Sequence, residues 1–317
     1  MPKTKKTLDE DLCDALREYK PELTDTSVRI YCLNLMHMAT YYNKPLTPDL
    51  FKNSKEIRED LEELKYSTPT LKNKVVSIIT YLKMKHQPQS LINQYSDYYD
   101  MLAGKISKEH AKMDKTDKEK DNWMTKDDLI KYLDILKKEL PTKIESKVDM
   151  SKWMKYISLL IHINYPFRNE LADAQIVSKI TNNNPDINYI IVDNKNKTVK
   201  AIIQNYKTKK TYKDIKINFI QSVANDVLTY YKLLSSYKKL NNINNDWLLL
   251  AKNNEKMSRN DFTNFIKSIF LPLGKNISTT MIRKIIISDL YPVEKMKEMA
   301  RIMGHEVFTG VEFYAKQ

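Results

Sequence analysis

From residue 114 to residue 122 the chain reads DKTDKEKDN, nine residues without one apolar side chain. Such a run cannot enter a core, so the two parts of the 317-residue chain on either side of it must each bury their own apolar surface. Apolar residues make up 42% of the chain, enough for two cores of ordinary size. The expected organisation is a first domain over 1–113, a charged linker over 114–122 and a second domain over 123–317.

The first part has helical periodicity. DTSVRIYCLNLMHMATYY places Val28, Tyr31, Leu35 and Met38 three and four residues apart, with Asp25 or Thr26 as the N-cap. TPTLKNKVVSIITYLKM repeats the pattern, and QSLINQYSDYYDMLAGKISKEHAKM is a third helix. After the charged run, MTKDDLIKYLDILKKEL opens an amphipathic helix behind Thr125, and MSKWMKYISLLIHINY carries helical patterning up to Pro166. The texture then alternates: INYIIVD, KTVKAIIQNY and TYKDIKIN are β-branched and separated by Asn/Lys turns, as in a three-stranded antiparallel sheet. Helices resume at FIQSVANDVLTYYKLLSSYKKL. The fold class is therefore mainly α with a small antiparallel β-sheet, a helical domain followed by a larger one that holds the sheet.

Lys and Arg number 53 against 40 acids, a formal charge of +13, which favours a polyanionic partner. No apolar run approaches the roughly 18 residues that span a bilayer, and the start lacks an apolar signal segment. An intracellular protein without a membrane partner is expected. Four glycines in the whole chain form neither GxGxxG nor a phosphate-cradling GKT loop. Two cysteines and five scattered histidines offer neither a disulfide framework nor metal-ligand spacing.

Four stretches of the second part could carry chemistry. NYPFRNELADAQI puts Arg168 just inside a helix start after Pro166. Between Lys195 and Lys216 there are eight lysines and one acid, Asp214. ISTTMIRKIIISDL embeds Arg283 among Met281, Ile282, Ile285 and Ile286, where an unpartnered cation would be costly. MGHEVFTGVEFY sets His305 nine residues before Tyr314. Each has a plain structural explanation alone: an ion pair of Arg168 with Glu170 or Asp173, a solvated hairpin, a helix cap, a core aromatic. Together they are a set for metal-free phosphodiester chemistry. A phenolic oxygen can attack phosphorus, and two guanidiniums can hold the non-bridging oxygens of a pentacoordinate transition state. A lysine can protonate the departing 5′ oxygen, and a histidine can bond the phosphate or move protons.

These residues resemble the tyrosine recombinase, or phage integrase, family over about 190 residues of the second domain. MGHEVFTGVEFY is similar to the family's Gly-His box, with Tyr314 at the nucleophile position. TTMIRKIIIS lies 22 residues before His305 and puts Arg283 at the second arginine. FRNEL resembles the first-arginine box, so Arg168 is carried over. The family's lysine sits in the turn between the second and third strands; YKTKKTYKDI makes Lys207 the first candidate, with Lys209 and Lys210 as rivals. The pattern departs from the family at Thr280, where most members have His, and at Glu170, an acid two rather than three residues after Arg168. These departures look like the branch found in large eukaryotic DNA viruses, virophages and related mobile elements.

The resemblance implies a site-specific recombinase that cuts and rejoins double-stranded DNA through a 3′-phosphotyrosine, with no metal, cofactor, ATP or small-molecule substrate. It also implies a homotetramer on two DNA sites and a first domain that clamps the opposite DNA face. Lys209, Lys210, Lys213 and Arg259 are the candidate DNA contacts. The expected location is with the DNA: a nucleus, a cytoplasmic viral factory or a bacterial cytoplasm. The alternatives are a type IB topoisomerase or telomere-resolving enzyme, and a recombinase-derived DNA-binding protein inactive because of Thr280.

Overall fold

The computed structural model describes residues 9–112 and 114–290. The chain forms two compact units, Met1–Asp114 and Lys115–Gln317.

The first unit is all helical: α1 (Glu10–Tyr19), α2 (Asp25–Tyr41), α3 (Ser54–Glu63), α4 (Thr68–Met84) and α5 (Gln89–Ala111). Apolar residues three and four apart build its core, with Val28, Cys32 and Leu35 from α2 meeting Val75, Ile78 and Leu82 from α4. The cap of α2 is Thr24, whose hydroxyl accepts from Ser27 N at 3.2 Å, one or two residues earlier than expected. Cys13 and Cys32, both fully buried, form a disulfide that joins α1 to α2. Neither cysteine had a partner on sequence spacing alone.

The run expected to be a linker is largely structured. Thr116 and Glu119 form a reciprocal capping box at the start of α6 (Asp117–Asn122). Glu119 pairs with Lys284, and Lys275 Nζ donates to Asp121 O at 2.6 Å, so this short helix belongs to the second unit. Next come α7 (Lys126–Lys138), capped by Thr125 as its sequence implies, and α8 (Lys147–Asn164).

Helix α8 is the spine of the second unit. It packs against α7, α10 (Gln221–Leu240), α11 (Arg259–Phe270) and α12 (Thr279–Leu290). Ile157, Leu159 and Ile161 are fully excluded from solvent, and each such side chain stabilises by about 1.5–3 kcal/mol.

The sheet has four strands in sequence order, β1 (Ala174–Val177), β2 (Asn188–Asp193), β3 (Thr198–Ile203) and β4 (Ile215–Asn218). The β2–β3 and β3–β4 pairs are antiparallel, but β1 runs parallel to β2, so the sheet is mixed rather than antiparallel. The other edge of β1 is also occupied: Ile176 N donates to Asp246 O and Leu248 N to Ala174 O, each at 2.8 Å. Helix-favouring neighbours in NELADAQI hide this strand in the sequence, and pairing on both edges overrides that preference. A single helical turn, α9 (Lys209–Tyr212), lies between β3 and β4.

Candidate functional site

The site begins where α8 stops. Tyr165 is extended, as the residue before a proline must be, and Pro166 cannot continue the helix. Arg168 therefore lies in a non-helical segment leading to a turn, not inside a new helix as the sequence suggested. Its side chain is exposed, and among the described residues it makes no ion pair. Asp173, a partner proposed for it, instead pairs with Arg259 at 3.3 Å.

The backbone beneath Arg168 is held from three directions. The ring of His162, wholly buried, faces Arg168 O at 3.0 Å with one nitrogen and Ser158 O at 2.7 Å with the other. Burial pulls the His162 pKa below its ordinary value; the two carbonyls and Glu170 oppose that shift, and Arg283 adds to it. The Asn169 side chain bridges α11 and α12: its Nδ2 donates to Thr263 Oγ1 at 2.8 Å and Arg259 O at 3.2 Å, and its Oδ1 accepts from Thr279 Oγ1 at 2.7 Å. Third, Asn188, fully buried at the start of β2, donates to Glu170 O and Asn205 O while its Oδ1 accepts from the amides of Gln204 and Asn205. All four hydrogen-bonding positions of that amide are used.

Arg283 enters from α12. Met281, Ile282, Ile285 and Ile286 are buried, as the sequence implied, while Arg283 is half-buried and donates through Nε to Pro166 O at 3.0 Å. Burial first, and then the positive charge of Arg168, hold its guanidinium below the ordinary pKa; Glu170 opposes them. The two arginines thus come from distant parts of the sequence to one place. Thr280 sits one turn before Arg283 and is exposed. Glu170 is 4% exposed, and its Oε2 has no hydrogen-bond partner among the described residues.

The lysine-rich turn is the β3–β4 connection. Tyr206 and Asp214 line an open concavity there with Lys207, Lys209, Lys210, Lys213 and Lys216. Tyr206 OH donates to Lys213 O at 2.6 Å, closing the loop, and Lys213 takes a left-handed φ of 55°. Lys209 pairs with Asp214 at 3.6 Å, whereas Lys207, Lys210 and Lys213 are exposed and without an ion-pair partner among the described residues. Asn188 ties the root of this loop, at Asn205, to the turn after Arg168. Arg259, a candidate DNA contact, is also engaged within the protein: besides Asp173, its guanidinium donates to Asn205 O at 3.0 Å. A freely exposed cation and one already spent on an internal pair look alike in sequence.

His305 and Tyr314 lie outside the described residues. The described part brings together Arg168, Arg283 and, through Asn188, the root of the lysine loop. Sequence reasoning missed Asn169, Asn188 and His162. His162, on an apolar helical run, was visible as a polar residue in apolar company, whereas Asn169 stands between Arg168 and Glu170 and carried no such signal. Among the described residues no group of three or more His, Cys, Asp or Glu is placed to hold a metal ion, and no helix is long and apolar enough to cross a membrane.

Neither a protein-family model nor a curated protein matches the chain. Among solved structures, a XerA recombinase aligns over 97% of this chain and 94% of its own, with 12% sequence identity and a TM-score of 0.35. At that level of similarity the functional reading rests on the residues themselves.

Proposed function

We propose that this chain is a DNA strand-transfer enzyme of the tyrosine recombinase kind. The observation that carries the reading is the meeting of Arg168 and Arg283, with the Arg283 guanidinium bonded to the backbone two residues before Arg168. Two exposed or half-exposed cations side by side, with one buried acid beneath them, suit an oxyanion better than a carboxylate of the protein itself.

In this reading both guanidiniums bond the non-bridging oxygens of one phosphodiester and stabilise the charge that builds at phosphorus. The Tyr314 oxygen forms a bond to phosphorus as the bond to the 5′ oxygen breaks. The phenolic proton passes to His305 or water, and the departing 5′ oxygen takes a proton from Lys207, which the exposed β3–β4 loop presents. Strand exchange reverses these steps with a new 5′ hydroxyl, so no external energy is consumed. Thr280 offers no imidazole, which leaves activation of the tyrosine to the arginines and His305. The first unit is read as the clamp on the opposite DNA face, and the working unit as a homotetramer on two sites, wherever the DNA resides.

The test is covalent trapping. Wild-type protein and Tyr314→Phe are incubated in EDTA with nicked duplexes of randomised sequence and stopped with SDS. The expected result is a protein–DNA adduct in the wild type alone. Relaxation of any plasmid without site preference would instead favour a type IB topoisomerase. Tight DNA binding with no adduct from either protein would favour a binding module.

A further inference from the structure

We propose that Asn169 is the positioning residue that sets the spacing of the two arginines. This rests on the strand-transfer reading. The amide sits next to Arg168 and reaches both the helix that carries Arg283 and its neighbour. Its orientation is determined by chemistry. Arg259 O can only accept, so it must face Nδ2; Thr263 Oγ1 already donates to Arg259 O at 3.0 Å, so toward Asn169 it can only accept. Oδ1 is then left to accept from Thr279, the first residue of α12, which is 3% exposed.

The segment from Pro166 to Asn169 is consequently fastened to α12 at two points. Arg283 bonds Pro166 O at one end and Thr279 bonds Asn169 at the other. Arg168 lies between them, its own carbonyl facing His162. A peptide held at both ends presents the intervening side chain at a fixed distance from the helix. Bond-making around phosphorus depends on that distance, since a misplacement of about 1 Å can cost on the order of 100-fold in rate. Among the described residues no other side chain of the Arg168 segment bonds the first turn of α12.

The experiment measures single-turnover cleavage, DNA affinity and melting temperature for wild type, Asn169→Ala, Asn169→Asp, Thr279→Val and Thr279→Ser. Thr279→Val keeps the shape and removes only the hydroxyl, so it covers the case in which Asn169→Ala fails to fold. The expected result is a cleavage rate on the order of 100-fold lower for Asn169→Ala and reduced for Thr279→Val. Thr279→Ser should restore the rate, and DNA affinity should stay within about twofold in every folded variant. Asn169→Asp should not restore it, because a carboxylate would face Arg259 O. Wild-type cleavage with unchanged rates in Thr279→Val and Asn169→Ala would overturn the positioning role alone. A lower melting temperature with an unchanged rate per folded molecule would also overturn it. Absence of any Tyr314 adduct in the wild type would overturn the strand-transfer reading and this proposal with it.

Discussion

His162 sits where two effects oppose each other, and pH decides which is larger. Its ring is fully buried between two backbone carbonyls, Ser158 O and Arg168 O. A neutral imidazole has one N–H and can satisfy only one of them, whereas the imidazolium satisfies both. Burial penalises that same imidazolium, and so does the nearby Arg283, while Glu170 favours it. The balance falls to burial, so the folded-state pKa lies below 6.5. As pH drops through 6.5 the unfolded chain takes up a proton first, and stability is lost; above 6.5 it is fully present. The slope from one proton cannot exceed about 1.4 kcal/mol per pH unit. Between pH 7 and 5.5 the contribution of His162 approaches about 1.3 kcal/mol if the folded group stays neutral throughout. Urea unfolding followed by tryptophan fluorescence is a clean assay, because all three tryptophans belong to the second unit. Wild type should lose stability against His162→Gln by up to that amount over this range, and the difference cancels groups common to both. No difference would show that burial and the carbonyls balance. A wild type that gained stability on acidification would refute the reasoning, because two carbonyl bonds would then outweigh desolvation.

Two further outcomes follow from the surface and the first unit. The Cys13–Cys32 disulfide closes a loop of 19 residues in sequence separation, so chain entropy alone sets its contribution at about 3 kcal/mol. Cys13→Ser/Cys32→Ser should lower the stability of the first unit by that order in circular-dichroism urea melts, and added reductant should do the same to wild type but not to the variant. Duplex binding should weaken steeply between 50 and 200 mM salt, with the slope of log K against log salt reduced by about 0.9 for each phosphate contact removed. Lys207→Ala and Lys210→Ala should each show that reduction in a fluorescence-anisotropy titration. Lys209→Ala should show less, since Asp214 already neutralises part of its charge.

Periodicity disclosed the long helices well, because α2, α4, α7 and α10 bury one side at helical spacing. It failed where tertiary pairing decides conformation. Arg168 sits among Asn, Glu, Leu and Ala, a composition that reads as helix, yet Pro166 and the Asn169 and Asn188 bonds hold it as non-helical chain and turn. The charged run 114–122 looked like a linker because its helix is stabilised by caps and by charges on the second unit, neither of which apolar patterning can register. Arg283 was legible for a physical reason: a cation in an apolar helical stretch must find an acceptor, and Pro166 O is that acceptor. Asn169 and Asn188 were not, because an amide's partners come from elements far away in sequence.

Arg168 and Arg283 are two cations brought to one place by the packing of α12 on the chain after α8. Burial first, and then the positive charge of Arg168, disfavours the Arg283 guanidinium, and the buried acid Glu170 opposes them. Two like charges are thus held close by the packing around them. An oxyanion bridging the pair would turn repulsion into shared attraction. Its binding free energy would then appear as folding free energy, growing with ligand concentration as mass action requires. An oxyanion bound there would add its own bonds to those that already hold the Arg168 segment to α8 and α12.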